Sequence, residues 1–267
     1  MIKKILHGAM PEAADLIPEK DLITFSVLHD VVRHDCDYIA SDGDGFIICT
    51  TVSRYPVWIW CAEGREKELC GTVLDLLNTD IPERKQLNLS GPFLRELKAL
   101  DNGHAYRTVV SMLAYDCPAP VAPAKRPEGT IRIAGPDDVP CVVEMDRLFY
   151  SEISSQTPPS EAELLEAEKE RVAEGHTYLW ITPEGQPAAK CCYLADEKSA
   201  RVSGVYTYRD HRRHGYAEQL VYRATCDVLA SGKDPCLYTD ADYIASNACY
   251  TGIGYVLRGD LVTVERS

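Results

Sequence analysis

The sequence has no apolar run that approaches the roughly 20 residues a membrane-spanning helix needs. Its opening residues, MIKKIL, are also too short for the apolar core of a secretory signal. We therefore expect a cytoplasmic protein that does not bind a membrane.

Metal-binding spacings are also missing. None of the eleven cysteines forms a C-x-x-C pair or another zinc spacing, so we expect no metal. Most lie in apolar runs, as Cys49 does in FIICTT, where a free cysteine behaves as a small hydrophobe and indicates a reducing compartment. The D-G-D-G of residues 42–45 lacks the glutamate that would complete a calcium loop, so a hairpin turn is the better interpretation.

Positive charge is scarce as well. The formal net charge is -13 and the pI is about 5.0, which disfavours binding to a phosphate backbone. We expect no nucleic-acid partner. The acidic balance keeps the protein soluble and is compatible with a cationic substrate such as an amine.

Proline is concentrated in one segment. Residues 117–129 read CPAPVAPAKRPEG, with four prolines and no periodicity, which is typical of a stiff, extended linker. The sequence therefore predicts an N-terminal α/β domain over residues 1–116, a linker over 117–127 and a second domain over 128–267.

Alternating and helical patterns predict the elements of each half. The first half has helical segments within 11–33, strands at 35–40, 45–51 and 56–62, a helix at 66–80, a strand at 87–91, a helix at 92–100 and a strand at 106–116. The second half has a strand at 130–134, helices at 137–149 and 160–175, strands at 177–182, 188–195 and 200–208, a helix at 217–231, a strand at 236–240, a helix at 247–252 and a final hairpin with its turn at 258–260. This order indicates an α/β or α+β fold, with helices on the faces of a mixed sheet.

A strand that leads into a glycine-opened helix is the most informative stretch, VYTYRDHRRHGYAEQL at residues 205–220. Gly215 lets backbone N–H groups approach a ligand closely, and Ala217 keeps that approach clear. The first N–H groups of a helix lack partners within it, and the helix dipole is positive there, so the helix start suits a pyrophosphate. Arg212 and Arg213 add cationic donors that match phosphate oxygens.

A second motif, SNACYTGIGY, follows at residues 246–255. Asn247 is a candidate cap for a short helix, and Tyr250 projects from that helix toward whatever the preceding strand faces. Each motif is weak alone. In this order, separated by helix, turn and strand, the two are much more specific.

On these motifs, residues 128–266 resemble the GNAT superfamily of acyl-CoA-dependent N-acyltransferases. Residues 212–217 match its Q/R-x-x-G-x-G/A signature, and residues 246–255 match its later N-x-x-Y-x-x-x-G-F element, with Tyr255 where phenylalanine is commoner. The resemblance implies a GNAT fold, in which a mostly antiparallel central sheet splays between strands 4 and 5 and acetyl-CoA lies in the gap. It assigns these residues to the cofactor: Val205, Tyr206, Thr207, Arg212, Arg213, His214, Gly215, Tyr216, Ala217 and Asn247. The first half resembles the front part of the same fold without the signature.

The resemblance also implies direct attack of an amine on the thioester, with the carbonyl polarised by backbone N–H groups near Val205 to Thr207. Tyr250 is the candidate general acid for the CoA thiolate, since the pKa of a phenol is close enough to that of a thiol. The general base is left open among Glu144, Glu152, His176, Asp240 and Asp242. Glu152, Asp240 and Asp242 are also candidates for holding a cationic substrate.

We thus expect an N-acetyltransferase that acts on a primary amine of a small molecule, such as an amino acid, a polyamine or an aminoglycoside-like compound. A protein N-terminus or lysine is an alternative acceptor. Another alternative is a regulatory module that binds acyl-CoA without turnover. A homodimer is one possible assembly.

Overall fold

The structure is a computed structural model that describes residues 2–52, 54–153 and 158–267. The chain forms two compact units. The first contains Met1–Ala114, Asp240–Asp242 and Arg258–Ser267, and the second contains Tyr115–Thr239 and Tyr243–Leu257. These limits differ from the predicted boundaries chiefly at the end of the chain, because residues 258–267 group with the first unit.

The first unit begins with a strand that the sequence analysis did not predict. Its elements are β1 (Lys3–Gly8), α1 (Pro11–Ala14), α2 (Ser26–Val31), β2 (Cys36–Ser41), β3 (Phe46–Thr50), β4 (Val57–Cys61), α3 (Glu66–Thr79), β5 (Gln86–Leu89), α4 (Gly91–Leu100) and β6 (Tyr106–Asp116), which belongs here up to Ala114. Strand β1 is largely exposed at the edge of its sheet, so it lacks the apolar alternation that identifies a strand in a sequence.

The second unit repeats the order of the first. Its elements are β7 (Thr130–Ile133), α5 (Val139–Glu152), α6 (Glu161–Ala173), β8 (Thr177–Ile181), β9 (Pro187–Ala195), β10 (Ser199–Thr207), α7 (Tyr216–Ala230), β11 (Asp234–Asp240) and α8 (Ile244–Ile253), and they are followed by β12 (Val256–Arg266), which belongs to the first unit from Arg258 onward. Along the chain, each half therefore follows the order β-α-α-β-β-β-α-β-α-β, so the two halves are built alike.

The predicted hairpin at the end of the chain is wrong, because β12 is one continuous strand. The letters R-G-D suggest a turn, but Gly259 lies within the strand and does not have a positive φ. Its backbone instead lies against Thr24, with no room for a Cβ atom between them. A glycine inside a strand often marks such a close approach rather than a turn.

In the first unit the sheet has the order β1-β2-β3-β4-β5-β12-β6. The predicted hairpin of β2 and β3 is confirmed: the two strands are antiparallel, and the Asp42 carboxylate accepts hydrogen bonds from the backbone N–H groups of Asp44, Gly45 and Phe46. Helices α3 and α4 cover the sheet through a core that includes Val73, Leu97 and residues of β2 to β5.

In the second unit the sheet has the order β11-β10-β9-β8-β7. Strands β7 to β10 are antiparallel. Strand β11 is parallel to β10 and pairs with it over only three residue pairs, from Ser199 with Asp234 to Arg201 with Cys236. The two strands then part, so the predicted splay between the fourth and fifth strands of this unit is confirmed.

Helices α5 and α7 lie on opposite faces of this sheet, because alternate residues of a strand point to opposite faces. Leu179 of β8 packs with Val142 and other residues of α5. Its neighbour Tyr178 instead donates a hydrogen bond to Asp227 of α7, with 2.9 Å between the oxygens. Helix α6 begins with a capping box formed by Ser160 and Glu163.

Candidate active site in the second unit

The loop between β10 and α7 turns at two residues that have a positive φ. Arg213 has a φ of 65°, and Gly215, the N-cap of α7, has a φ of 90°. The helix begins at Tyr216, one residue before the predicted start, and the side chain of residue 215 cannot cap it because glycine has none. The N–H groups of the first turn therefore keep their capacity to bind a ligand.

Arg212 connects this loop to the end of α5 through hydrogen bonds. Its guanidinium donates to both carboxylate oxygens of Glu152, at 2.8 and 2.7 Å, and its Nε donates to the Thr207 carbonyl at 3.0 Å. Arg209 donates to the same carboxylate at 3.1 Å. Burial tends to raise the pKa of Glu152, but the two arginines outweigh it and the pKa is lowered. Glu152 is thus ionised at neutral pH and is a weak base.

Lys125 reaches the same loop from the proline-rich segment. Its Nζ donates to the Arg213 carbonyl at 2.7 Å, and its own carbonyl accepts from Gln219 at 2.6 Å. A Cβ atom on Gly215 would lie 3.2 Å from the Lys125 stem, so glycine leaves space for this contact. Lys125 could not be identified as a site residue from the sequence, because the pattern of a linker does not indicate which residues its side chains contact.

Aromatic rings fix the start of α7. The Tyr216 ring stacks on Trp180 with 4.9 Å between the ring centroids and on His214 with 5.4 Å. His214 Nδ1 lies 3.1 Å from the His211 carbonyl, which restrains its ring. The side chains of Tyr216 and His214 thus support the loop, while backbone groups remain as its ligand donors.

Strand β10 carries a bulge next to the splay. Ser203 pairs with Cys192 of β9 and Tyr206 pairs with Lys190, so Gly204 and Val205 together lie opposite a single residue. Gly204 has a φ of +56°. A bulge leaves the extra residue unpaired in the ladder. Because pairing with β11 ends at Arg201, the segment from Val205 to Thr207 borders the gap between the two strands.

A cavity of about 640 Å³ lies beside the end of β10. This volume is within the range of small-molecule sites. Its walls combine aromatic, apolar and charged side chains, namely Leu148, Ser151, Glu152, Pro187, Tyr206, Tyr208, Arg209, Asp210 and His211. Burial raises the pKa of Tyr208 to about 12, so its hydroxyl is a hydrogen-bond donor at neutral pH.

Helix α8 carries the second motif. Tyr250 is 9% exposed, and its ring meets the edge of the Tyr255 ring with 6.0 Å between the centroids. Burial, and then its neighbours Cys249 and Cys191, raise the pKa of Tyr250, so the phenol stays protonated at neutral pH. The expected cap is wrong: the N-cap of α8 is Tyr243, and Asn247 lies inside the helix, where its N–H donates to the Tyr243 carbonyl.

The other candidate residues lie elsewhere. Asp240 and Asp242 group with the first unit, where the Asp242 N–H donates to the Asp240 carboxylate at 3.0 Å. Glu144 is paired with Arg147 at 2.7 Å, and that hydrogen bond lowers its pKa. The His176 ring packs against the Tyr193 ring at a tilt of 33°, with 4.2 Å between the ring centroids. Of the five general-base candidates, Glu152 is the one that lines the cavity.

Neither a metal cluster nor a membrane span is found in the part of the chain that the structure describes. No group of three or more His, Cys, Asp or Glu side chains there is arranged to hold a metal ion. None of the described helices is long and apolar enough to cross a bilayer.

Known proteins resemble this chain in its second half by sequence and over its whole length by fold. A family model described as FR47-like protein matches residues 183–264. No curated protein matches the sequence. A GCN5-related N-acetyltransferase from Sphaerobacter thermophilus has a TM-score of 0.69 and 17% identity, over 99% of this chain and 95% of that chain. A GNAT-family acetyltransferase from Colwellia psychrerythraea has a TM-score of 0.62 and 14% identity, over 100% of both chains.

A third similar structure is a tandem GNAT protein from the clavulanic acid biosynthesis pathway, with a TM-score of 0.57 and 12% identity over 100% of this chain and 98% of that chain. Identities this low show the fold, and the fold extends over both units. The resemblance found in the sequence is thereby confirmed: the chain consists of two units with the GNAT fold, and residues 183–264 match the GNAT-related FR47-like family.

Proposed function

We propose that the second unit transfers an acetyl group from acetyl-CoA to a primary amine of a small molecule, in the cytoplasm. The observation that carries the proposal is the juxtaposition of a glycine-opened helix start at Gly215 with strands that part after Arg201. The helix start supplies N–H groups that can bind an anion. The parted strands leave an opening in the sheet for the rest of the cofactor.

The diphosphate of CoA fits the start of α7. Backbone N–H groups of Gly215, Tyr216 and Ala217 are the natural donors, and the helix dipole favours an anion there. Arg213 and Lys125 add positive charge at the same turn. Arg212 contributes indirectly, because its guanidinium is held by Glu152 and so fixes the loop.

The thioester would lie along the bulge of β10. The attacking amine forms a C–N bond as the C–S bond breaks, and the Val205 N–H stabilises the charge that develops on the carbonyl oxygen. Before the attack the ammonium group loses one proton to solvent, because only the neutral amine is a nucleophile. The CoA thiolate takes a proton from Tyr250, and the second proton lost by the amide nitrogen returns through solvent to the Tyr250 phenolate. Holding both reactants in line supplies up to about 7–11 kcal/mol of the barrier reduction.

The cavity beside Glu152 is the proposed acceptor site. Its volume suits a small molecule, Tyr206 and Tyr208 provide aromatic walls, and the ionised Glu152 can orient a cationic amine. Because the two arginines lower the pKa of Glu152, we assign it to positioning the amine rather than to removing the amine proton.

Thermal unfolding in the presence of acetyl-CoA tests the binding step. At about 100 times its Kd, a ligand that binds only the folded protein stabilises it by about 2.7 kcal/mol. Ala217→Glu should abolish the shift, because a carboxylate would occupy the diphosphate position. Lys67→Glu is the matched control, since Lys67 is the second residue of α3 as Ala217 is of α7.

Turnover is then measured as thiol release with a panel of small amines. Release with a small amine supports the proposal. Stabilisation by acetyl-CoA without release from any amine would favour a regulatory binding module, and release only with peptides would favour a protein acetyltransferase. No stabilisation at all would overturn the proposed function.

A further inference from the structure

Four charged side chains form a buried cluster in the second unit. Lys190 of β9 pairs with Asp146 of α5, and its Nζ lies 3.8 Å from the Glu168 carboxylate of α6. Arg171 pairs with Glu168 at 2.6 Å. The Lys190 and Glu168 side chains are 0% exposed. Two basic and two acidic side chains are thus brought together, with Arg171 at the edge of the cluster, where it is 20% exposed.

Stability alone does not account for such a cluster. Removing two charges from water costs several kcal/mol per ion, and well-packed apolar side chains of similar volume are often as stable. Burial raises the pKa of Glu168 to about 7, and the positive charge of Lys190 offsets part of that rise. We therefore look to the position of the cluster in the fold for its role.

The cluster lies directly beneath the bulge of β10. A Cβ atom on Gly204 would lie 3.4 Å from Lys190 Nζ, 3.6 Å from the Asp146 carboxylate and 3.2 Å from Cys192 Sγ. The adjacent Ser203 carbonyl accepts from Cys192 Sγ at 3.5 Å, and Arg171 contacts the same sulfur at 3.5 Å. The open side of Gly204 thus faces Lys190, Asp146 and Cys192, and the neighbouring Ser203 is in direct contact with Cys192.

We infer that this cluster positions the bulge, so that the Val205 N–H is fixed toward the thioester carbonyl before the reaction begins. The inference rests on the proposed function. Lys190 and Asp146 are positioning residues, because they act through Gly204 and touch no reacting atom. A donor that is already fixed needs no reorganisation as charge develops on the carbonyl oxygen.

The test uses acetyl-CoA labelled with ¹³C at the thioester carbonyl and the full-length protein. On binding to the unaltered protein, the carbonyl resonance should move downfield, because a hydrogen bond polarises the carbonyl. In Asp146→Leu/Lys190→Met, which removes one charge of each sign, most of that shift should be lost while the Kd for acetyl-CoA changes little. The kcat for amine acetylation should fall by about tenfold or more with the same KM for acetyl-CoA.

The matched control is Val142→Ala, a buried residue of α5 outside the cluster. If it lowers the melting temperature but keeps the carbonyl shift, a general loss of stability does not explain the result for the double variant. If the double variant does not fold, Cys192→Ala is measured in its place. This variant removes the contact of Cys192 with the Ser203 carbonyl but no charge, and part of the carbonyl shift of bound acetyl-CoA should be lost.

Two outcomes overturn the inference. An unchanged carbonyl shift in the double variant, or in Cys192→Ala where that variant is used, would show that the cluster is only structural while acetyl-CoA binding stands. If the unaltered protein does not bind acetyl-CoA, the proposed function fails, and this inference fails with it.

Discussion

At the scale of single residues, the site depends on side chains whose chemistry was evident in the sequence and on contacts that were not. Gly215 and Tyr250 were identifiable because their motifs have fixed spacing. The contact of Lys125 with the same loop was not, because the residues are 88 positions apart and no local pattern relates them. Glu152 was a candidate, but only the folded chain places it between Arg209 and Arg212.

Tyr250→Phe tests the general acid. Thiol release should slow by about 100-fold or more, because proton transfer by a positioned side chain contributes about 10²–10⁴-fold. The Kd for acetyl-CoA should stay the same. Tyr55→Phe, at an exposed tyrosine of the first unit, is the control and should change neither quantity. Unchanged turnover in Tyr250→Phe would remove Tyr250 from the mechanism.

Glu152→Gln tests the acceptor site. The variant should raise the KM for a cationic amine, since the charge that orients the amine is lost, and should leave the Kd for acetyl-CoA within about threefold. Steady-state kinetics with a fixed, saturating acetyl-CoA concentration measure the effect. Glu144→Gln removes a carboxylate from the exposed Arg147 pair on the same helix and is the control. Equal KM values in both variants would contradict the assignment.

Gly254→Ala tests a close backbone approach after α8. Gly254 has a φ of +103°, and a Cβ atom there would lie 2.7 Å from the Ala119 carbonyl oxygen. Strained φ alone costs of order 1–3 kcal/mol, and the clash should add to it. Gly232→Ala is a control for strain without a clash, because its φ is +78° and nothing lies within 4 Å. Urea unfolding of both variants should show the larger loss for Gly254→Ala.

At the scale of elements, the sequence was sufficient for the order of strands and helices. Hydrophobic periodicity and turn residues are local signals, and they predicted the elements of both units apart from β1 and the undivided β12. The splay between β10 and β11 followed only from the family resemblance. The buried cluster of Lys190 and Asp146 could not be predicted, because it joins β9 to α5 across the core.

The same elements also explain why the first unit lacks the signature chemistry. Helix α3 is the counterpart of α7, but it begins with Glu66 and Glu68, and Glu63 precedes it. Arg65, at its N-cap, is paired with Asp44 at 2.8 Å and with Glu68 at 2.8 Å. Carboxylates at a helix start satisfy the dipole and repel a diphosphate. The start of α3 therefore differs from that of α7, which has the single first-turn carboxylate Glu218 and a glycine at its N-cap.

Arg266→Met tests the contribution of β12 to the first unit. Arg266 Nε donates to the buried Asp101 carboxylate at 2.8 Å, and both side chains are 6% exposed. Removing one partner of a buried pair leaves a charge uncompensated and costs about 3–5 kcal/mol. Urea unfolding followed by fluorescence of Trp58 and Trp60 reports the loss. Arg107→Met, on β6, breaks the exposed pair of Arg107 with Glu265 of β12. Because Arg107 is 71% exposed, this variant should cost about 1 kcal/mol or less.

The pH dependence of Arg266→Met gives a second check. Burial tends to raise the pKa of Asp101, but hydrogen bonds from Tyr106, His104 and Arg266 outweigh it and hold the pKa well below its usual range. A lowered carboxyl pKa contributes stability that is present above the unfolded pKa of about 3.9 and is lost as pH falls through the folded value. Stability below pH 4 should therefore fall less steeply in the variant than in the unaltered protein.

At the scale of the whole molecule, the two units are not two separate lengths of chain. Residues 258–267 complete the sheet of the first unit, where Val262–Glu265 pair with Gln86–Leu89 and Ser267 exchanges backbone hydrogen bonds with Ala105. Boundaries drawn at a proline-rich linker assume that each domain folds from its own contiguous segment. Residues 1–116 therefore contain most of the first unit but not the strand between β5 and β6.

A fragment of residues 1–116 should consequently be poorly folded by itself. It would expose the pairing edges of β5 and β6 and leave Asp101 buried without Arg266, and unpaired strand edges favour aggregation. Adding a peptide of residues 258–267 should restore a cooperative unfolding transition, measured by Trp58 and Trp60 fluorescence. The same peptide with Arg266→Met should restore it only weakly, because backbone pairing returns without the buried ion pair. A fragment that unfolds cooperatively without any peptide would show that β12 is dispensable to the first unit.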